Sequence, residues 1–196
     1  MEEMTVESLL QALQSSDPFV RRDAWLAAGK VGPTALPALA RLAAEGELEV
    51  ARAANRAMWQ IVRYAGAPGR EMVRGATVTA LGEVMGGLSP QRARDVQLAR
   101  DVLWMLSEIV QDWEIDQAIG ISLLSNPELR EDARMCLQRI GGENAVAVLK
   151  AGYTQAEGDF QAAVACSLRR LGQDVPTPPC PKLQPRKTTS VKPVGR

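Results

Sequence analysis

The sequence of 196 residues contains no histidine. Histidine is the commonest general base in enzymes, the usual activator of a nucleophilic serine or cysteine, and the commonest zinc ligand. Its absence excludes most hydrolase and zinc-enzyme designs, although chemistry by carboxylates, lysine or tyrosine stays open. We therefore expect a protein that is not an enzyme and that holds neither a metal nor a cofactor.

Aromatic residues make up only 4% of the chain, while alanine, leucine and valine are common. This composition suits helix packing through small residues better than a β-sheet, which favours β-branched and aromatic residues. The longest apolar runs are far below the ~20 residues of a membrane span. The acidic start, Met1-Glu2-Glu3-Met4, is unlike a secretory signal. We expect no membrane span and a cytoplasmic location.

Cysteine is scarce as well, and the three present lack the paired Cys-x-x-Cys spacing of metal sites. Three thiols also form no disulfide framework. Cys136 and Cys166 fall within expected helices, and we interpret both as small buried apolar residues. Cys180 lies in a proline-rich stretch near the end of the sequence.

The strongest pattern that is present is a helical segment that recurs four times. Two copies open with similar motifs, Asp17-Pro18-Phe19-Val20-Arg21 and Asn126-Pro127-Glu128-Leu129-Arg130, and end at Gly32 and Gly141. Two weaker copies lack the proline. The apolar residues at shared offsets are Val20, Ala24, Ala28 and Val31; Leu129, Ala133, Leu137 and Ile140; Val50, Ala54, Met58 and Ile61; and Phe160, Val164, Leu168 and Leu171. Such repeats stack as helix pairs and display a surface rather than a catalytic pocket.

The repeat predicts an all-α fold, an α-solenoid of about five antiparallel helix pairs over residues 1–174. The first two copies start 30 residues apart, at Asp17 and Glu47, and the last two start 31 residues apart. Ten helices are expected, over residues 5–15, 18–31, 35–44, 47–64, 72–84, 90–110, 114–124, 127–140, 145–149 and 157–171. The pattern is loosest over residues 68–125, and whether this stretch forms regular repeats is left open.

Residues 175–196 form a separate proline-rich tail. Six of the twelve prolines and five basic residues lie in it, with no acidic residue. Such a segment cannot bury enough apolar surface to offset its ordering entropy, so we predict that it is disordered. The preceding part holds 18 basic and 23 acidic residues. The zero formal net charge of the chain therefore divides into a body of −5 and a tail of +5.

The string from Asp17 to Gly32 resembles the second helix of a HEAT repeat, above all the short bacterial variety named after phycobiliprotein lyases. In that family the run Asp-Pro-x-Val-Arg begins the helix and a glycine ends it, and residues 126–142 match nearly as well. The resemblance covers about residues 5–172. It implies an interaction scaffold, since the family consists of such scaffolds and a few chromophore lyases. It also implies that Arg21 and Arg130 pair with neighbouring repeats in a ladder.

The other motif residues have structural roles in this interpretation. Asp17 is expected to cap its helix, and Val20 and Leu129 are expected to enter the core. The terminal glycines, among them Gly32 and Gly141, suit a left-handed backbone at a helix end. Three of the tryptophans are interpreted as core or inter-repeat packing residues: Trp25, Trp104 and Trp113.

A candidate binding stripe lies on the helix expected at residues 47–64. Most basic residues of the chain lie near helix ends, where they balance the helix dipole, but Arg52 and Arg56 lie too early in their helix for this explanation. Arginine and tryptophan together can hold an anionic segment by forked hydrogen bonds and stacking. The candidate protein-binding residues are Arg22, Trp25, Arg52, Arg56, Trp59, Arg63 and Arg134.

The leading hypothesis is a non-enzymatic scaffold that binds a protein partner along its concave face, and an acidic segment would suit the arginines. Nucleic-acid binding, through that face or the tail, is the alternative. The acidic body argues against it, because affinity for phosphates rises with lysine and arginine content. A phycobilin lyase rests on the family resemblance alone. The partner's identity, the oligomeric state and the role of the tail stay open.

Overall fold

The computed structural model describes residues 4–89 and 91–176, and every regular element in these ranges is helical. The predicted tail lies outside the described residues from Thr177 onward. The helices are α1 (Val6–Leu13), α2 (Pro18–Val31), α3 (Leu36–Glu45), α4 (Leu48–Ala65), α5 (Glu71–Gly86), α6 (Ala93–Ile109), α7 (Gln117–Ser125), α8 (Arg130–Ile140), α9 (Gly142–Gln155) and α10 (Gly158–Arg170). Two short 3-10 helices, Pro33–Ala35 and Asp112–Glu114, complete the set.

The ten helices form five sequential pairs, as predicted, and the pairs stack into an α-solenoid. Each odd-numbered helix packs on the even-numbered helix that follows it. The even-numbered helices form one row, which we call the second row, in which each helix packs on the next. In the first row, α3 packs on α5 and α7 packs on α9. No helix of the described ranges is both long and apolar enough to cross a membrane.

The two best repeat copies begin and end alike. A carboxylate oxygen of Asp17 accepts the N–H of Phe19 at 2.8 Å, and the side-chain oxygen of Asn126 accepts the N–H of Glu128 at 2.9 Å. Both copies end at a glycine with positive φ, +88° at Gly32 and +67° at Gly141. Residues with a Cβ rarely adopt this backbone, so the glycines define where the helices stop.

Three helix starts lie three residues later than predicted. The helix expected from residue 90 begins at Ala93, and the carboxylate of Asp95 accepts the N–H of Ser89 at 3.0 Å in the preceding loop. The helix expected at 114–124 begins at Gln117, after its cap Asp116. The helix expected from 127 becomes regular only at Arg130, after a turn that begins at Asn126.

The interior consists of two hydrophobic clusters that meet at α6. The first is built from α1 to α6 around residues such as Met58, and the second from α6 to α10 around residues such as Leu149. Helix α6 contributes to both, with Val102 in the first cluster and Leu103 in the second. The stretch with the loosest sequence pattern therefore contains the helix that joins the two halves of the core.

Three residues that we expected to be buried are exposed, while Leu129 and Cys136 are buried as predicted. The exposed fraction is 42% for Val20 and 73% for Trp113, and Cys166 is exposed as well. Val20 lies on α2 and Cys166 on α10, the two ends of the second row, where each helix has a row neighbour on one side only. Trp113 lies in a 3-10 helix between α6 and α7.

The expected arginine ladder is wrong for Arg21, which bonds within its own helix pair. Its guanidinium donates to the carbonyl oxygens of Ser15 at 2.6 Å and Ser16 at 2.9 Å. Arg130 does reach the next pair, but by stacking 4.6 Å from the ring centre of Phe160 rather than by an ion pair. Both arginines therefore serve local packing.

Other residues join successive helices of the second row. Asn55 on α4 donates to the carboxylate of Asp101 on α6 at 2.7 Å. The indole N–H of Trp104 on α6 donates to Asp132 on α8 at 3.0 Å, which confirms an inter-repeat role for this tryptophan. Trp104 also lies beneath the guanidinium of Arg139, which is paired with Glu108. These contacts add polar links between helices that also share the hydrophobic clusters.

Helix α2 packs tightly against α4 at Gly29. A Cβ placed there would lie 2.9 Å from the Cβ of Tyr64 and 3.1 Å from the carbonyl oxygen of Gln60, neither of which can move freely. Gly75, on α5, has no atom within 4 Å of the same position. The two glycines thus have the same helical setting but opposite steric surroundings.

We expect Gly29→Ala to lower the free energy of unfolding by about 1–3 kcal/mol, because overpacking forces two helices apart. Gly75→Ala should raise it by about 0.5–1 kcal/mol, because alanine has the higher helix propensity and the space is open. Urea denaturation followed by circular dichroism measures both. Equal effects of the two substitutions would contradict the close packing of α2 on α4.

Candidate binding surface

A groove between α4 and α6 opens on the second row and has a volume of about 460 Å³. We call it the α4–α6 groove. Its floor is apolar and includes Ala51 and Leu98. The polar side chains that line it are Arg52, Asn55, Arg56, Arg94, Gln97 and Asp101. The candidate arginines of α4 therefore face a third arginine from α6 across a concave surface.

The three arginines of the groove differ in the contacts that their side chains make. Arg52 is paired with Glu49 of the same helix at 2.8 Å, and its side chain is 57% exposed. The guanidinium of Arg56 lies 5.8 Å from the ring centre of Trp25, while that of Arg94 reaches the carbonyl oxygen of Ala44 at 3.4 Å. Among the described residues, neither Arg56 nor Arg94 has a carboxylate within ion-pairing distance.

Asp101 is the acidic residue of the groove. Its carboxylate accepts the side-chain amides of Asn55 at 2.7 Å and Gln97 at 3.3 Å. Partial burial raises the pKa of Asp101, and the two amide hydrogen bonds oppose this effect. Asp101 bonds to these amides and, among the described residues, makes no ion pair with the arginines of the groove.

A second groove lies between α2 and α4 and is lined by Leu26, Lys30, Gln60 and Arg63, with a volume of about 590 Å³. Arg63 lies 5.6 Å from the ring centre of Trp59. Trp59 itself is only partly exposed and packs against the first core cluster. The ring of Trp59 therefore contacts both the core and Arg63, and it does not project freely into solvent.

The structure divides the predicted site residues into two groups. Six lie on α2 and α4: Arg22, Trp25, Arg52, Arg56, Trp59 and Arg63. Arg22 is paired with Asp23 at 2.8 Å and stacks on Phe19. Arg134 lies apart on α8, where it donates to Ser167 of α10 at 2.6 Å and pairs with Glu131. Its side chain is 14% exposed, so it ties two helices together.

Sequence reasoning missed Arg94 and the exposed Leu48 beside it. Arg94 is the second residue of α6, where the helix dipole disfavours a positive charge. Arg94 therefore meets the criterion by which Arg52 was chosen, a cation early in its helix, but only when α6 starts at Ala93. Leu48 is 62% exposed and lines the same groove. An apolar residue at the first position of an amphipathic helix carries no such signal.

Comparison with known proteins supports the repeat interpretation. The family model described as HEAT repeats matches residues 2–59, which span α1 to α3 and most of α4. A similar solved structure is the crystal structure of an engineered protein, with 20% identity and a TM-score of 0.45 over 85% of this chain and 79% of that chain. No curated protein matches the chain. The family match confirms the HEAT-repeat prediction for residues 2–59, while the narrower lyase-type variety stays a prediction.

We expect Asn55→Ala to raise the pKa of Asp101 further, because it removes a hydrogen bond that favours the charged carboxylate and leaves the burial in place. Gln60→Ala, on the same helix but in the second groove, should leave that pKa unchanged. The carboxyl carbon shift of Asp101, followed by NMR against pH, measures both. A pKa of Asp101 that does not respond to Asn55→Ala would show that the amide does not stabilise the anion.

Proposed function

Because the chain carries HEAT repeats, we propose that it is a non-enzymatic scaffold that binds an acidic segment of a partner protein in the α4–α6 groove. The observation that carries the proposal is the pair of exposed guanidinium groups of Arg56 and Arg94, which line one groove and lack a carboxylate partner among the described residues. Arginine binds carboxylates by two parallel hydrogen bonds, which gives both affinity and orientation.

The setting of Arg56 supports a binding role. Its stacking against Trp25 restricts the side chain before any partner arrives, so less conformational entropy is lost on binding. Arginine and tryptophan are also the residues most often found at the energetic centre of protein interfaces. The groove thus offers a charge that is held in place rather than one on a mobile side chain.

Apolar surface at the groove favours a partner segment that carries apolar side chains as well as acidic ones. Leu48 is 62% exposed at its edge, and Leu26 is 52% exposed on α2 beside the second groove. Such residues would pack against apolar side chains that alternate with acidic ones in the partner. A purely acidic chain would leave this surface in water.

Nucleic acid fits these features less well. Asp101 and the paired Glu49 place negative charge at the groove, where a phosphate backbone would have to lie. The body as a whole carries −5. Phosphate binding draws its affinity from an excess of lysine and arginine, which the acidic body as a whole lacks.

We expect Arg56→Glu to weaken binding of a synthetic peptide of alternating glutamate and leucine by at least about tenfold, which corresponds to about 1.4 kcal/mol. Lys150→Glu makes the same charge change on an exposed residue of α9 and should leave the affinity unchanged. Fluorescence anisotropy with the labelled peptide measures all three proteins.

Equal weakening by both substitutions would mean that net charge, not the groove, governs binding. A single-stranded oligonucleotide serves as the competing probe in the same assay. If it binds more tightly than the peptide and its binding is lost on Arg56→Glu, the groove is a nucleic-acid site and the proposal fails.

A further inference from the structure

The second groove repeats the arginine–tryptophan stack of the α4–α6 groove. In the α4–α6 groove, the guanidinium of Arg56 lies 5.8 Å from the ring centre of Trp25. In the second groove, the guanidinium of Arg63 lies 5.6 Å from the ring centre of Trp59. Among the described residues, neither arginine has a carboxylate within ion-pairing distance. Another such stack, between α6 and α8, is neutralised, because its arginine is paired with a glutamate.

The second groove also matches the first in its exposed leucine and its second cation. Leu26, like Leu48 in the α4–α6 groove, is more than half exposed. Lys30 lies in the same lining, is exposed, and has no carboxylate within ion-pairing distance among the described residues. Asp23, the acidic residue of the second groove, is already paired with an arginine of α2. The second groove is therefore a cationic and apolar surface of the same kind, with lysine in place of one arginine.

One face of α4 connects the two grooves. It consists of residues at intervals of four, three and four positions along the helix, which are Arg52, Arg56, Trp59 and Arg63. The three arginines are exposed and the tryptophan is partly exposed. A bound segment can thus pass from one groove to the other over side chains that donate hydrogen bonds and stack.

The distance between the grooves sets the length that such a segment must have. Arg52 and Arg63 differ by 63 − 52 = 11 positions, which is about 16 Å along the axis of α4. The grooves lie on opposite sides of α4, and this adds about one helix spacing of about 8–10 Å across the axis. The separation is therefore about 19 Å. An extended chain rises about 3.3 Å per residue, so about six residues span it.

We propose that the partner segment occupies both grooves at once, through two clusters of acidic and apolar residues that lie at least about six residues apart. Arg56 and Arg94 bind one cluster, and Arg63 and Lys30 bind the other. The second contact is then intramolecular, so the affinity of the whole segment exceeds that of either cluster. This inference rests on the proposed function, because it assigns a second half to the same partner.

Two peptides of identical composition test the spacing. The spaced peptide carries two Glu-Leu-Glu clusters joined by a glycine–serine linker of about six residues, so the cluster centres lie about nine residues apart. In the adjacent peptide the same linker follows both clusters, whose centres are then about 10 Å apart and cannot reach both grooves. We expect the full chain to bind the spaced peptide at least about tenfold more tightly, as measured by fluorescence anisotropy.

Variants of the second groove identify where the gain arises. Arg63→Glu should reduce the affinity for the spaced peptide to that for the adjacent peptide. It should change the affinity for the adjacent peptide by less than about twofold, since the α4–α6 groove still binds it. Leu26→Ser removes apolar surface from the second groove without changing the charge, and it should weaken the spaced peptide alone. Arg170→Glu makes the same charge change on an exposed residue in the last turn of α10, and it should leave both affinities unchanged.

The outcomes separate this inference from the proposed function. Equal affinities for the two peptides, or a gain that survives Arg63→Glu, overturn the use of both grooves and leave the α4–α6 groove as a single site. Equal losses on Arg63→Glu and Arg170→Glu also overturn it, because net charge would then govern the gain. If neither peptide binds, the proposed function itself fails, and this inference fails with it.

Discussion

Helix α6 packs between two hydrophobic clusters, and the stacking of the helix pairs on either side depends on this packing. Its residues reach both clusters, as Val102 and Leu103 show, so neither half of the solenoid is complete without it. A repeat helix cannot bury its apolar face alone, and burial is achieved only by neighbours on both sides. The α4–α6 groove also borders α6 and is lined by four of its residues.

The charged side chains of the second row make different contacts in the earlier and the later repeats. From α6 to α10 they join successive helices, as when Arg100 pairs with Glu128 at 3.2 Å and Arg134 bonds to Ser167. On α4 the contact to α6 is made by Asn55 and Asp101 instead. Arg56 and Arg63 of α4 stack on tryptophans. Arginine thus links neighbouring helices by polar contacts in the later repeats, whereas these two arginines of the earlier repeats contact aromatic rings.

Much of the fold could be predicted from the sequence, because helix periodicity and capping are local properties. Asp17 and Pro18 mark the start of α2 and Gly32 marks its end, and each signal lies at or next to the end that it determines. The middle of the chain was harder to predict. The start of α6 depends on the bond between Asp95 and Ser89, and the start of α7 depends on its cap, Asp116, and on an ion pair between Glu114 and the distant Arg74.

Only part of the candidate site could be predicted from the sequence, because the rest depends on contacts between residues that are distant in the chain. Arg52 and Arg56 could be selected, because a cation in the first half of a helix gains nothing from the helix dipole. Trp59 is a candidate binding residue in the sequence, yet it packs against the core, since a face that looks polar along one helix can still touch a neighbouring helix. Arg94 joins the groove only through the packing of α4 on α6.

The helical class of this protein, its repeat, the ends of its best repeat copies and the opposite charges of body and tail can all be predicted from the sequence. These properties follow from spacing and composition. The packing of the helices sets which arginines bond to neighbouring helices and which tryptophan is exposed. Those properties depend on how closely separate helices approach, and no local pattern encodes that distance.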